Sequence, residues 1–329
     1  MLNASTDLES SMNSTEKHVF TILIMVITTL VGVPGNFLVL WITGIKMKRT
    51  VMNIWFCNLA LADMFCCLAF PLLIAQYFYD EWLYGQAFCK MLPSIIFFTM
   101  FASIFTLVAI SVDRCLLVVQ PVWSKNHRTL HMARIICLVI WMLSSLMCLP
   151  VALHRTTFTE ENLTLCGYGH SDLQYLNRSS ETYVYYPEKE VTFTRMIFGF
   201  LIPLLIISTS YACLAFKLKH TRFVKVGHKT IKVVIGIVIA FCLSWAPYHI
   251  MGIILLYFDN PAVSYLDLLS QALAYSNSCI NPILYVFLGK DVKKRVRKSL
   301  LELLENVFRE EELKTLEHSK RKTTTEVSI

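Results

Sequence analysis

Asp63 is the one full charge inside seven otherwise uncharged runs of the chain: Val19–Ile45, Ile54–Tyr79, Met91–Val112, Ile135–Leu153, Met196–Phe216, Val233–Phe258 and Leu268–Gly289. A carboxylate in such surroundings is costly unless it is neutralised or paired. Ser103, Asn277, Ser278 and Asn281 are polar positions on other runs able to converge on it. At the end of the third run Asp113 stands beside Arg114, a pair able to hold each other. Pro203, Pro247 and Pro282 each remove a backbone donor and bend a helix, and a bent sixth run that swings its end is a two-state element. An enzyme or transporter would need inward-facing His, Asp or Glu constellations or inverted repeats. One carboxylate and His249 do not make one, so neither an enzyme nor a metal site is expected.

The elements that must position these groups are helices. Each run reaches or exceeds the roughly 18 residues that suggest a membrane span, and none alternates as a membrane strand would. The chain has 329 residues, 55% hydrophobic and 16% charged, against about 25% charged in soluble domains. That composition disfavours a soluble enzyme, a disordered regulator and a nucleic-acid binder. The expected fold is an all-α membrane protein, a seven-helix bundle over residues 19–289. Acids outnumber bases before residue 19 and the first run has 27 residues, so it reads as a span rather than a signal peptide.

Orientation follows from the bases. With the amino terminus outside, 24 of the 30 Lys and Arg residues fall on the inner side, a strong positive-inside bias facing anionic membrane lipid. The glycosylation sequons at Asn3, Asn13, Asn162 and Asn177 all fall outside in the same arrangement. Of 11 cysteines only Cys89 and Cys166 face the oxidising side. One disulfide between them is expected, against the alternative of two free thiols.

Residues 1–18 read as a glycosylated outer tail, and 154–194 as an outer binding loop. After the last span Val292, Val296, Leu300, Leu303 and Val307 recur at helical spacing beside Lys290, Lys293, Lys294, Arg295, Arg297 and Lys298. Residues 290–308 therefore read as an amphipathic eighth helix on the membrane surface. The flexible tail 309–329 carries Thr315, Ser319, Thr323, Thr324, Thr325 and Ser328 as phosphorylation candidates.

Motifs in order along the spans give a resemblance to the rhodopsin-like (class A) G-protein-coupled receptors. They are Gly35-Asn36, Leu59-Ala60-Leu61-Ala62-Asp63, Asp113-Arg114-Cys115, Trp141 with Pro150, Pro203 with Tyr211, Ser244-Trp245-Ala246-Pro247, and Asn281-Pro282-Ile283-Leu284-Tyr285. The resemblance implies no cofactor other than an allosteric sodium ion at Asp63. The alternative there is a protonated, hydrogen-bonded Asp63 without an ion. It implies that Trp245, Pro247, Pro282, Tyr285 and Tyr211 form the activation switch. It also implies that freeing Arg114 from Asp113 exposes a surface for a heterotrimeric G protein, with receptor kinases and arrestin acting on the tail. Cys115 departs from the Tyr usual at that position, which motivates a rival reading as a non-signalling decoy that binds and internalises its ligand.

Longer stretches, among them Lys46-Met47-Lys48-Arg49-Thr50-Val51 and Ala274-Tyr275-Ser276-Asn277-Ser278-Cys279, are similar to the anaphylatoxin group of chemoattractant peptide receptors. This implies a basic anaphylatoxin peptide ending in arginine, from complement component three, with component five or another chemoattractant as the alternative. It also implies inhibitory-class G-protein coupling to calcium and chemotaxis. Arg155, Arg195 and Asp267 match the positions with which the group holds the peptide's terminal arginine. Two guanidinium forks suit a terminal carboxylate and Asp267 suits a guanidinium, while Tyr248, Phe97 and Phe98 line the deeper apolar part. Singly, each charge could instead snorkel to the interface. The outer segments hold 13 acids and 6 bases, which reads either as a field that steers a cationic ligand or as an ordinary solubilising exterior. Two departures stand out. Only 28 residues separate Cys166 from Arg195, far short of the group's long second outer loop, although Tyr183, Tyr185 and Tyr186 beside acids are candidates for sulfation. Phe97 occupies a position where formyl-peptide receptors carry Asp.

Overall fold

The computed structural model describes the backbone of residues 2–79, 81–160, 162–168, 187–219, 224–258 and 260–288, and their side chains except for 2–17, 218–238 and 283–288. The chain separates into two units, Met1–Leu284 and Tyr285–Ile329. Everything below concerns the first. The proposed eighth helix, the phosphorylation candidates and the side chains of Tyr285, Asn3, Asn13 and Asn177 lie outside the described residues.

Helices dominate. They are α1 (Leu2–Trp41, continued by a π-helical turn Ile42–Lys46), α2 (Val51–Gln76), α3 (Gly85–Val119), α4 (Pro121–His127) and α5 (Leu130–His154). After the hairpin come α6 (Pro187–Met196), a second π-helical stretch Ile197–Leu201, α7 (Ile202–Lys219), α8 (Val224–Leu255) and α9 (Pro261–Leu288). Their starts follow local chemistry. The Thr50 hydroxyl accepts the Asn53 N–H at 3.2 Å to open α2, and Thr129 does the same for Met132 on α5. Pro121 and Pro261 occupy first-turn positions that need no donor. Pro203 is the second residue of α7, two positions past the π-helical stretch, so its missing N–H falls in the first turn where the ladder changes pattern.

Five helical segments among the described residues are long and apolar enough to cross a membrane, from His18–Lys46 to Pro187–Lys217. Their outward faces stay apolar: Leu138, Met142 and Leu146 on α5 are exposed at 54–71%, as lipid-facing residues at helical spacing would be. The interior is where polar groups gather. Asn36 on α1 donates to the carbonyls of Gly32 and Ser278, each at 2.9 Å. The approach of α1 and α9 there is tight, since a Cβ on Gly35 would lie 3.3 Å from the Pro282 ring. Trp141 on α5 donates its Nε1–H to Asn58 Oδ1 at 2.8 Å, and Asn58 donates to Thr106 at 2.7 Å. That chain ties α2, α3 and α5 around the core of Ala62, Ala102 and Ile140.

Over one end of the bundle lies an antiparallel hairpin, β1 (Arg155–Glu160) and β2 (Leu163–Tyr168), with Arg155 opposite Tyr168 and Glu160 opposite Leu163. A Cys89–Cys166 disulfide, Cα–Cα 5.6 Å, fastens it to α3. The expected pairing is therefore present. The Trp82 N–H donates to Thr164 O at 2.6 Å from the α2–α3 connection. Asn162 forms the exposed hairpin tip with φ 66°, a left-handed conformation that Asn tolerates.

Candidate functional site

Beneath the hairpin the helices enclose a cavity of about 440 Å³. Arg155, Arg195, Tyr248, Asp267 and Phe97 all line it, so five of the six residues expected there converge. Phe98 does not. Its ring packs on Trp141 with centroids 5.1 Å apart; it lies about 100° round the helix from Phe97 and so faces α5 instead. Two boundaries also shift. Arg195 does not begin the fifth span but is the ninth residue of α6, and Asp267 is the seventh residue of α9. Both charges thus sit about two turns inside their helices rather than at the rim.

Among the described residues no ion pair neutralises these charges. Arg195 sits over the Tyr248 ring, Cζ 4.0 Å from its centroid, and donates through Nη1 to the Tyr248 hydroxyl. Arg155 stands over the Tyr168 ring at 5.2 Å and donates to Cys166 O at 3.4 Å. Burial pushes the Tyr168 phenol up to about 12, so it stays protonated beside that cation. Asp267, only 7% exposed, accepts from Gln271 Nε2 at 2.7 Å. No ion pair joins either arginine to Asp267, and the Nε of both arginines is buried without a partner. The cavity therefore offers two cationic forks and a separate carboxylate to a ligand carrying both signs of charge. Tyr168, Glu188 and Gln271 also line it and were not foreseen. Tyr168 follows Cys166 by two residues, so the disulfide was the signal that could have located it.

Below the cavity Trp245 is buried with its ring 6.3 Å from Tyr248, and its Nε1 has no partner. Pro247 is internal to α8, as Pro282 is to α9, and Tyr211 is buried on α7. Deeper still, Asp63 is 1% exposed. It accepts from Ser103 at 3.1 Å through Oδ1 and from Asn281 at 2.7 Å through Oδ2. Ser278 and Asn277 are buried on the same helix as Asn281, but Asn277 makes no hydrogen bond to Asp63. Asn281 Oδ1 is buried without a partner. The carboxylate of Asp63 and the hydroxyl of Ser103 are hard oxygen donors of the kind a small cation takes.

At the opposite end of α3 the expected pairing is corrected. Asp113 is gripped not by Arg114 but by Arg128, Nε to Oδ1 at 2.7 Å and Nη2 to Oδ2 at 2.9 Å. Arg128 follows directly on α4, whose turn returns the chain to α3, and a planar fork arriving from outside meets both carboxylate oxygens at once. The side chain next to Asp113 on the same helix points elsewhere.

A bundle of apolar helices, a disulfide-fastened hairpin over a charged cavity and a buried carboxylate cluster define a membrane receptor. Residues 35–285 match the 7 transmembrane receptor (rhodopsin family), and the chain belongs to that family. It is accordingly a multi-pass plasma-membrane receptor and not an enzyme. It is 43% identical over 302 residues to the C3a anaphylatoxin chemotactic receptor of Danio rerio, covering 91% of this chain and 80% of that one. It is 42% identical over 299 residues to the C3a anaphylatoxin chemotactic receptor of Oncorhynchus mykiss, covering 89% and 80%. Against the C5a anaphylatoxin chemotactic receptor 1 of Oryctolagus cuniculus it is 40% identical over 303 residues, covering 89% and 83%.

Proposed function

We propose that this receptor binds the anaphylatoxin of complement component three on its outer side and activates an inhibitory-class G protein within the cell, leading to calcium release and chemotaxis. The observation that carries the reading is the placement of Arg155, Arg195 and Asp267 on one 440 Å³ cavity without pairing among them. A terminal arginine brings a carboxylate for the two forks and a guanidinium for Asp267. Arg195 rests on Tyr248, and Tyr248 packs near Trp245 on the same helix. A ligand that engages Arg195 differently in two conformations of α8 would shift their populations, and the G protein would read that shift reciprocally. Asp63 and Ser103 are the residues that would hold a sodium ion, whose charge would favour the resting conformation.

The 40% identity to a component-five receptor supports a second ligand reading. One experiment separates them. Calcium is recorded in cells expressing the receptor after addition of either anaphylatoxin, intact or lacking its terminal arginine, with and without pertussis toxin. A toxin-sensitive response to intact component-three peptide that fades without the arginine is the expected result. A response confined to component five transfers the ligand. Surface binding without any calcium signal would establish the decoy.

A further inference from the structure

Gly252 lies one turn beyond Tyr248 on α8 and also lines the cavity. A Cβ built there would overlap Arg195 Nη2, would come within 3.2 Å of Arg195 Cζ and would lie 3.6 Å from Thr192 Cγ2. The guanidinium of Arg195 thus occupies the space that any other residue's side chain would take. Its three nitrogens are accounted for separately: Nη1 donates to the Tyr248 hydroxyl, Nη2 fills the notch above Gly252, and Nε stays buried without a partner.

We propose that Gly252 is the positioning residue for Arg195: its missing side chain is the seat that keeps the guanidinium over Tyr248 and at the cavity, and so sets the preference for a ligand with a free terminal carboxylate. The functional half of this rests on the peptide reading above; the steric half does not. An alanine at position 252 would push the fork off the Tyr248 ring. A flexible guanidinium can move, so the expected outcome is a displaced cation rather than an unfolded bundle.

The test is a double-mutant cycle over the wild type, Gly252→Ala, Arg195→Ala and the double variant, in full-length receptor. Two readouts are taken: thermal stability in detergent, and binding of a component-three carboxyl-terminal peptide with its terminal arginine as acid, as amide or removed. Gly252→Ala should lower stability when Arg195 is present and not when it is alanine. It should also reduce the preference for acid over amide by about tenfold, the worth of one hydrogen bond to a charged group, again only with Arg195 present. If Gly252→Ala does not reach the surface, Arg195→Ala should restore it. Equal stability losses in both backgrounds, an unrestored variant, or an unchanged acid preference beside normal Arg195→Ala loss would overturn the seat. An Arg195→Ala receptor that keeps its full acid preference would sink the peptide reading, and the stability cycle alone would then decide the steric claim.

Discussion

Arg128 holds Asp113 with two parallel hydrogen bonds of 2.7 and 2.9 Å, and Arg114 beside it takes no part. The contact that locks this end of α3 therefore comes from the residue after α4, fifteen positions along the chain. Arg128→Ala should raise ligand-independent nucleotide exchange on a purified G protein, since it frees the carboxylate and leaves α4 tied to α3 through Ser124 and Leu116 O. Arg128→Lys should restore only part of the restraint, because a point charge cannot grip both oxygens. Basal exchange that stays at the wild-type level in both variants would assign the pair a purely structural part.

Asp267→Asn and Arg195→Ala should fail in different ways. Each should weaken the arginine-ended peptide by about 10- to 100-fold, from the loss of hydrogen bonds worth about 1.5–3 kcal/mol to charged groups. Asp267→Asn should leave the peptide lacking its arginine unaffected, whereas Arg195→Ala should also weaken a shortened peptide that still ends in a carboxylate. Radioligand competition on intact cells measures both. Parallel losses for every peptide would mean that the cavity has collapsed rather than lost a contact.

Replacing sodium in the medium by a bulky organic cation should strengthen agonist binding to the wild type several-fold. Asp63→Asn should abolish that dependence, because an amide cannot balance a cation's charge. A sodium effect that survives in Asp63→Asn would place the ion elsewhere.

Trp141→Phe keeps the ring and removes only the Nε1–H that serves Asn58 at 2.8 Å. Leaving that buried amide oxygen unsatisfied should cost about 1–3 kcal/mol, read as a lower melting temperature of the detergent-solubilised receptor with peptide selectivity preserved. A normal melting temperature would show that another donor replaces the indole.

Much of this architecture was legible because single residues carried it. The basic residues set a topology that left only two cysteines on the oxidising side, and Cys89 and Cys166 do join. Asp63 announced its own partners, since a lone buried carboxylate needs hydroxyls and amides, and Ser103 and Asn281 supply them. What the sequence hid was rotation and return. Nothing local tells Phe97 from Phe98, because helical phase is fixed by what packs around it; one meets the cavity and the other meets Trp141. Nor does a linear reading show that α4 brings Arg128 back to Asp113, or that α6 and α9 begin early enough to draw Arg195 and Asp267 inside. Gly252 was silent for a simpler reason: its contribution is an absent atom.

The indole–amide–hydroxyl chain from Trp141 through Asn58 to Thr106 crosses three helices. It makes α2, α3 and α5 a stator. The Cys89–Cys166 bond clamps the roof of the cavity to the same frame through α3. Arg195 and Tyr248, by contrast, belong to α6 and α8, which take no part in that hydrogen-bond chain. A ligand spanning Arg155 on the clamped roof and Arg195 on α6 would be tethered at one end to the disulfide-held frame and at the other to helices outside it.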